Sequence, residues 1–112
     1  MLAKMAVLVP TRGRPGSAKR LSDAFVRTCT SDTHLLLAVD GDDPEFDGYM
    51  KLKETLPPGH ILYTDESRMN QVTWTNKLAK DTEGDYQYYT QMGDDTVPLT
   101  KGWDTNLMGC IE

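Results

Sequence analysis

Apolar and polar positions alternate along this chain in blocks that read as four strands separated by three helices. Ala6 to Val9 is a short continuous apolar run closed by Pro10, and His34 to Val39 (HLLLAV) is a second. Unbroken apolar runs of this length suit strands buried on both faces of a parallel sheet. Between them, Ser17 to about Cys29 sets Ala18, Leu21, Phe25 and Cys29 along one side of a helix. Asp43 is a good N-cap and Pro44 suits the first helical position. The helix they open carries Phe46, Tyr49, Met50 and Leu56 and is stopped by Pro57-Pro58. His60 to Tyr63 is a third short strand. Met69 to about Lys80 is a third helix, and Glu83-Gly84-Asp85 turns into a fourth strand, Tyr86 to Gln91.

Strands alternating with helices indicate βαβ units. The expected fold is a single α/β domain over residues 1–112. It is a Rossmann-like three-layer sandwich around a mainly parallel sheet in the order 3-2-1-4. Ligands of such sheets sit beyond the carboxyl ends of the strands. Those ends here are TRGRP, DGDD and GDD, so the polar clusters fall on the edge where the architecture puts a site. The fourth strand, YQYYTQ, is far more polar than the first two. That places it at an edge or under a partner, because a strand buried on both faces is nearly all apolar.

Bulk properties narrow the functional classes. A length of 112 residues suits one modest core, and 38% hydrophobic with 26% charged residues is a globular composition. No apolar run approaches a membrane span, and the run ending at Pro10 is too short for a signal-peptide core. Cys29 and Cys110 form neither a disulfide framework nor a zinc spacing, so both are expected as free buried thiols in a reducing cytoplasm. A net charge of −5 argues against a nucleic-acid partner. The charge is unevenly spread: residues 1–27 carry Lys4, Arg12, Arg14, Lys19, Arg20 and Arg27 against Asp23, a balance of +5, and the rest of the chain stands at −10. A basic first loop facing acidic loops suits a metal–diphosphate ligand, and internal charge balance explains it equally well.

Three clusters carry candidate chemistry. The loop Thr11-Arg12-Gly13-Arg14-Pro15-Gly16 leads into a helix, so its amides and guanidiniums suit a phosphate, or else form a solvated basic loop. It lacks the Gly-Lys-Ser/Thr of a Walker loop and the spacing of the dinucleotide fingerprint. Asp40 ends the second strand, where a carboxylate can accept from nucleobase N–H groups, or Asp40-Gly41-Asp42-Asp43 is a plain turn. Asp94-Asp95 follows the fourth strand and Gly93. Two hard oxygen ligands at a stiff strand tip suit Mg²⁺ or Mn²⁺, and a polar turn fits the same residues. Asn76 lies on the helix face of Met69, Val72 and Ala79, either as a buried support for neighbouring loops or as a partly exposed amide. His34 and His60 have no nucleophile beside them and read as packing residues.

The stretches VLVPTRGRP, LLLAVDGDD, TWTNKLAKDTEGDYQYY and QMGDDTVP occur in an order that resembles the donor-binding half of a family 2 glycosyltransferase with an A-type fold. The resemblance spans residues 5–98. It implies a nucleotide-diphospho-sugar transferase-like fold and a nucleoside diphosphate sugar as ligand. It implies that Thr11, Arg12 and Asp40 border the nucleobase and ribose, with Arg14 beside them in the basic loop, and that Asn76 supports the pocket. It further implies that Asp94 and Asp95 engage the ribose and a Mn²⁺ or Mg²⁺ cofactor on the diphosphate. The family's Asp-x-Asp is not intact, because Met92 and Gly93 precede the pair, and Thr75 stands where a basic residue often precedes Asn. The acids beyond Asp95 are Asp104 and Glu112. Asp104 is therefore the one catalytic base candidate for sugar transfer to an unknown acceptor, with Trp103 beside it suiting a sugar-stacking face, or else the two are a core Trp with an exposed Asp neighbour. The alternative is a non-enzymatic nucleotide-binding module or a subunit of a larger transferase. A nucleotidyltransferase is a third class, and TRGRPG lacks the Lys it would need. Nucleotide binding without efficient transfer is expected, with a second copy or a partner subunit along Tyr86–Gln91. Asp40→Ala is expected to weaken binding and leave the fold intact.

Overall fold

A computed structural model of the chain describes residues 3–66 and 69–111. Its strands are β1 (Ala3–Pro10), β2 (Thr33–Asp40), β3 (His60–Asp65) and β4 (Tyr86–Gln91). Its helices are α1 (Pro15–Thr28), α2 (Phe46–Thr55), α3 (Gln71–Asp81) and α4 (Trp103–Ile111). The four strands form one sheet in the order β3-β2-β1-β4, and every pairing is parallel. This is the expected Rossmann-like α/β arrangement, and it confirms β4 as an edge strand.

The two apolar runs became the central strands because both faces of β1 and β2 are covered. Val7, Val9, Leu35 and Leu37 pack on one face with Phe25 of α1, Tyr49 of α2 and Met108 of α4. Ala6, Leu8, Leu36 and Ala38 pack on the other face with Trp74 and Leu78 of α3. The chain therefore lays down β1, β2 and β3 in one direction and returns across β1 to add β4. That reversal opens a crevice at the carboxyl ends of β1 and β4, the usual ligand position in open parallel sheets.

Several expectations change. α2 begins at Phe46, so Pro44 lies before the helix and Asp43 does not cap it. The Asp43 carboxylate instead ties two loops, accepting from Gly13 N at 2.8 Å and Glu45 N at 2.8 Å. α3 begins at Gln71, with the Asn70 side chain accepting from Thr73 N as its cap. Met69, expected inside the helix, lies in the loop before it. The fourth helix was not anticipated. Cys29 is half-buried, and burial followed by the nearby Asp104 charge pushes its thiol up to about 12, which keeps it protonated and inert. Cys110 is exposed, against the expectation of a buried thiol, because it lies on the outer side of α4. His60 does pack, edge-on to Phe25, and its Nδ1 lies 2.6 Å from Ser22 Oγ. His34 Nδ1 meets the Tyr86 hydroxyl at 2.8 Å. Among the described residues no helix is long and apolar enough to cross a membrane.

Candidate functional site

The ends of β1, β2 and β4 and the segment leading into α3 enclose a cleft of about 680 Å³. The first loop supplies Thr11, Arg12 and Arg14. The tip of β2 supplies Asp40, and the turn after β4 supplies Gly93, Asp94 and Asp95. Of the nucleotide and metal residues read from the sequence, these six are brought together: Thr11, Arg12, Arg14, Asp40, Asp94 and Asp95.

Asp94 is the buried member of the acidic pair, at 5% exposure. Its Oδ2 accepts from Thr11 Oγ1 at 2.7 Å, and its Oδ1 lies 3.5 Å from the Arg14 guanidinium. Thr11 Oγ1 also lies 2.8 Å from the Tyr49 hydroxyl. Donor counting fixes the direction of this chain. Thr11 has one proton and a carboxylate only accepts, so Thr11 donates to Asp94 and Tyr49 donates to Thr11. Tyr49 in turn accepts from Arg14 N at 2.9 Å. The relay runs from the Arg14 amide through the Tyr49 and Thr11 hydroxyls to the Asp94 carboxylate. Burial raises the Tyr49 hydroxyl above its ordinary value against the opposing bonds to Thr11 and Arg14, so it remains a donor at neutral pH. Tyr49 is fully buried in α2 and was read from the sequence only as a helix-face residue. Tyr49→Phe should lower stability by about 1–2 kcal/mol, because the Arg14 amide and Thr11 both lose a partner. A urea midpoint equal to that of the wild type would contradict the relay.

Asp40 is also buried, at 3% exposure. Its Oδ1 accepts from Met69 N at 2.9 Å and Trp74 Nε1 at 2.8 Å. Its Oδ2 accepts from Arg12 at 3.1 Å, and Arg12 reaches Asp42 at 3.2 Å. The carboxylate therefore anchors the entry to α3 and aims Arg12. This corrects the expectation that Asp40→Ala leaves the fold intact: the buried indole N–H and the Met69 amide would be orphaned. The hydrogen bond to Asp42 is the main reason the Arg12 guanidinium lies above its ordinary range, so it is a permanent cation at the cleft mouth.

Asp95 is exposed and projects from the turn closed by Thr96 N on Gly93 O at 3.1 Å. A Cβ on Gly93 would come within 2.8 Å of Asp95 Oδ1, so Gly93 leaves that carboxylate its position. As a cation site the donor set is thin: among the described residues no three His, Cys, Asp or Glu side chains converge on one point. It does match Mg²⁺ or Mn²⁺ bound through one or two carboxylates with phosphate oxygens completing the shell. Asp95 would be the principal ligand, since Asp94 is already committed to Thr11.

Two sequence readings fall outside the cleft. Asn76 is exposed on α3 and absent from the lining, and Val72 on its supposed buried stripe is 68% exposed. The buried pair of α3 is Trp74 and Leu78, one turn apart. Asp104 is fully buried at the opposite, amino end of the sheet. It accepts from Thr30 N and Ser31 N, each at 3.0 Å, and from Thr33 Oγ1 at 2.6 Å. That removes it as the base for the cleft, because it reaches neither the solvent nor the cleft lining. Trp103 beside it donates to Thr28 Oγ1 and packs edge-on to Phe25, so it offers no sugar-stacking face there. Trp74, Asn70 and Gln71 line the cleft and were missed. The i, i+4 apolar pair Trp74–Leu78 was the available signal. No protein-family model matches the chain, and no curated protein matches it either.

Proposed function

We propose that the cleft binds a nucleoside diphosphate sugar together with Mn²⁺ or Mg²⁺. The observation that carries this reading is the convergence of Arg12, Arg14 and Asp94-Asp95 at the chain-order reversal. The cleft sets two guanidiniums against the three carboxylates of Asp40, Asp94 and Asp95. A bare diphosphate would be repelled by that balance, and a diphosphate carrying a divalent cation fits it. In this reading Arg12 and Arg14 face phosphate oxygens, as guanidiniums do well. Asp95 and, behind it, Asp94 face the cation. Asp40 acts by holding Arg12 and Trp74 in place. When bound, a divalent cation supplies Lewis-acid stabilisation of a leaving nucleoside diphosphate.

The position of Asp104 favours a binding module over a self-sufficient glycosyltransferase. A positioned base is worth about 10² to 10⁴ in rate, and the acid expected to provide it is locked in the core. The isolated chain should therefore bind its donor and transfer sugar poorly unless a second chain supplies the acceptor side. A thermal-shift panel of UDP-, GDP-, CDP- and TDP-sugars, with and without Mn²⁺, tests the reading. One nucleotide should raise the melting temperature, and more so with Mn²⁺, through mass-action stabilisation of the native state. No shift with any of them at millimolar concentration would sink it.

A further inference from the structure

Strand β4 has a hydrogen-bonding edge that is complementary to itself. Met92 N donates to Leu8 O at 3.2 Å, and β4 pairs with β1 in the register Ala3↔Tyr86, Met5↔Tyr88, Val7↔Thr90. Because backbone groups alternate along a strand, Tyr86, Tyr88 and Thr90 point their N–H and C=O at β1. Gln87, Tyr89 and Gln91 point theirs outward, where β4 is the last strand of the sheet. The Gln87 and Gln91 side chains, on the same face as Tyr89, are exposed, so α3 does not cover them. The strand YQYYTQ carries none of the devices that usually blunt an edge: no Lys, no Pro and no charge. Its residues are Tyr, Thr and Gln, which suit a pleated pairing partner.

We propose that two copies of the chain pair antiparallel along β4, about a two-fold axis at Tyr89, to form one continuous sheet. This follows from the strand edge and is independent of the cleft's ligand. The axis sets Tyr89 opposite Tyr89 of the second copy, each exchanging N–H and C=O with the other. It sets Gln87 opposite the second copy's Gln91, so every outward group of the three residues finds a partner. Side-chain amides face each other at both ends, a self-complementary arrangement of the kind a two-fold interface requires. Just outside this ladder, Asp85 of one copy approaches the Gly93-Asp94 turn of the other. The like charges there oppose association at low salt and are screened at high salt.

Paired charge substitutions test the register with the protein in solution. Gln87→Lys with Gln91→Lys sets Lys against Lys at both ends, and Gln87→Lys with Gln91→Glu sets Lys against Glu. Light scattering across a concentration series should give twice the 12.6 kDa chain mass for the wild type and the Lys/Glu variant, and the chain mass for Lys/Lys. Raising the salt should favour the wild-type dimer. Amide exchange by NMR gives a second readout that does not depend on the variants. The Gln87, Tyr89 and Gln91 amides should slow with rising protein concentration, whereas Tyr88 and Thr90 stay protected throughout. A wild type that is monomeric at every concentration overturns the proposal. So does a dimer in which both double variants behave alike, or one whose Tyr89 amide exchanges at a concentration-independent rate.

Discussion

Asp104→Ala should destabilise the domain by about 3–5 kcal/mol, a shift on the order of 10–20 °C in melting temperature. The carboxylate is fully buried and holds the α1–β2 connection against α4 through Thr30, Ser31 and Thr33. Removing it orphans two backbone amides and a hydroxyl at once. Asp104→Asn should fall between, because one amide oxygen can still accept and the NH₂ would face donors. Burial alone would raise this carboxyl, but the hydrogen bonds from Thr33, Thr30, Ser31 and Thr105 outweigh it and hold it below the usual carboxylate range. A depressed folded value means its contribution is complete above the unfolded value of about 3.9 and is lost as pH falls through the folded value. The gap between wild type and Asp104→Ala should therefore narrow in the acid range. A folded, equally stable variant would show that the brace is not needed. If that variant also lost sugar transfer, the catalytic reading of Asp104 would return.

Asp95→Asn should abolish the Mn²⁺-dependent part of nucleotide binding while leaving stability within about 0.5 kcal/mol of wild type. The separation is expected because Asp95 is exposed, whereas Asp94 and Asp40 are buried and hold Thr11 and Trp74 by hydrogen bonds. Gly93→Ala makes the same point from the backbone. Its new Cβ would sit 2.8 Å from Asp95 Oδ1, and the displaced atom is the end of a flexible side chain. The carboxylate should swing away at little cost to folding, and metal-dependent binding should fall at least tenfold. Asp94→Asn should lose binding and stability together, since Asp94 terminates the relay from Arg14, Tyr49 and Thr11. Calorimetry with unchanged Mn²⁺ dependence in Asp95→Asn would rule out its role as ligand.

The fold was legible where the sequence pattern is local. The apolar runs in β1 and β2 and the turn residues at strand tips set the sheet order and the carboxyl edge, and Thr11, Arg12, Arg14, Asp40, Asp94 and Asp95 followed from them. What was not legible depends on phase or on distant partners. On α3 a stripe through Met69, Val72 and Ala79 looked as apolar as one through Trp74 and Leu78. The Asp40–Trp74 hydrogen bond selects the second, and it joins residues 34 positions apart. Asp104 read as a base candidate or an exposed acid because its partners lie more than 70 positions earlier, in a connection that the sequence marks only as polar. α4 was invisible for a related reason: it packs through a few residues such as Met108 and carries Gly109. The role of Tyr49 depends on its hydroxyl meeting Thr11, 38 positions away.

Paramagnetic broadening by Mn²⁺ offers the most direct measurement of the cleft reading. Amide spectra of the chain would be recorded with the nucleotide that gives the largest thermal shift, before and after substoichiometric Mn²⁺. Signals of Gly93 to Thr96 and Thr11 to Arg14 should broaden beyond detection only when nucleotide is present, while Thr30 to Thr33 at the opposite edge stay sharp. Broadening that is indifferent to nucleotide, or that centres on another acidic surface such as Asp42 and Asp65, would contradict a metal–diphosphate site at Asp94-Asp95.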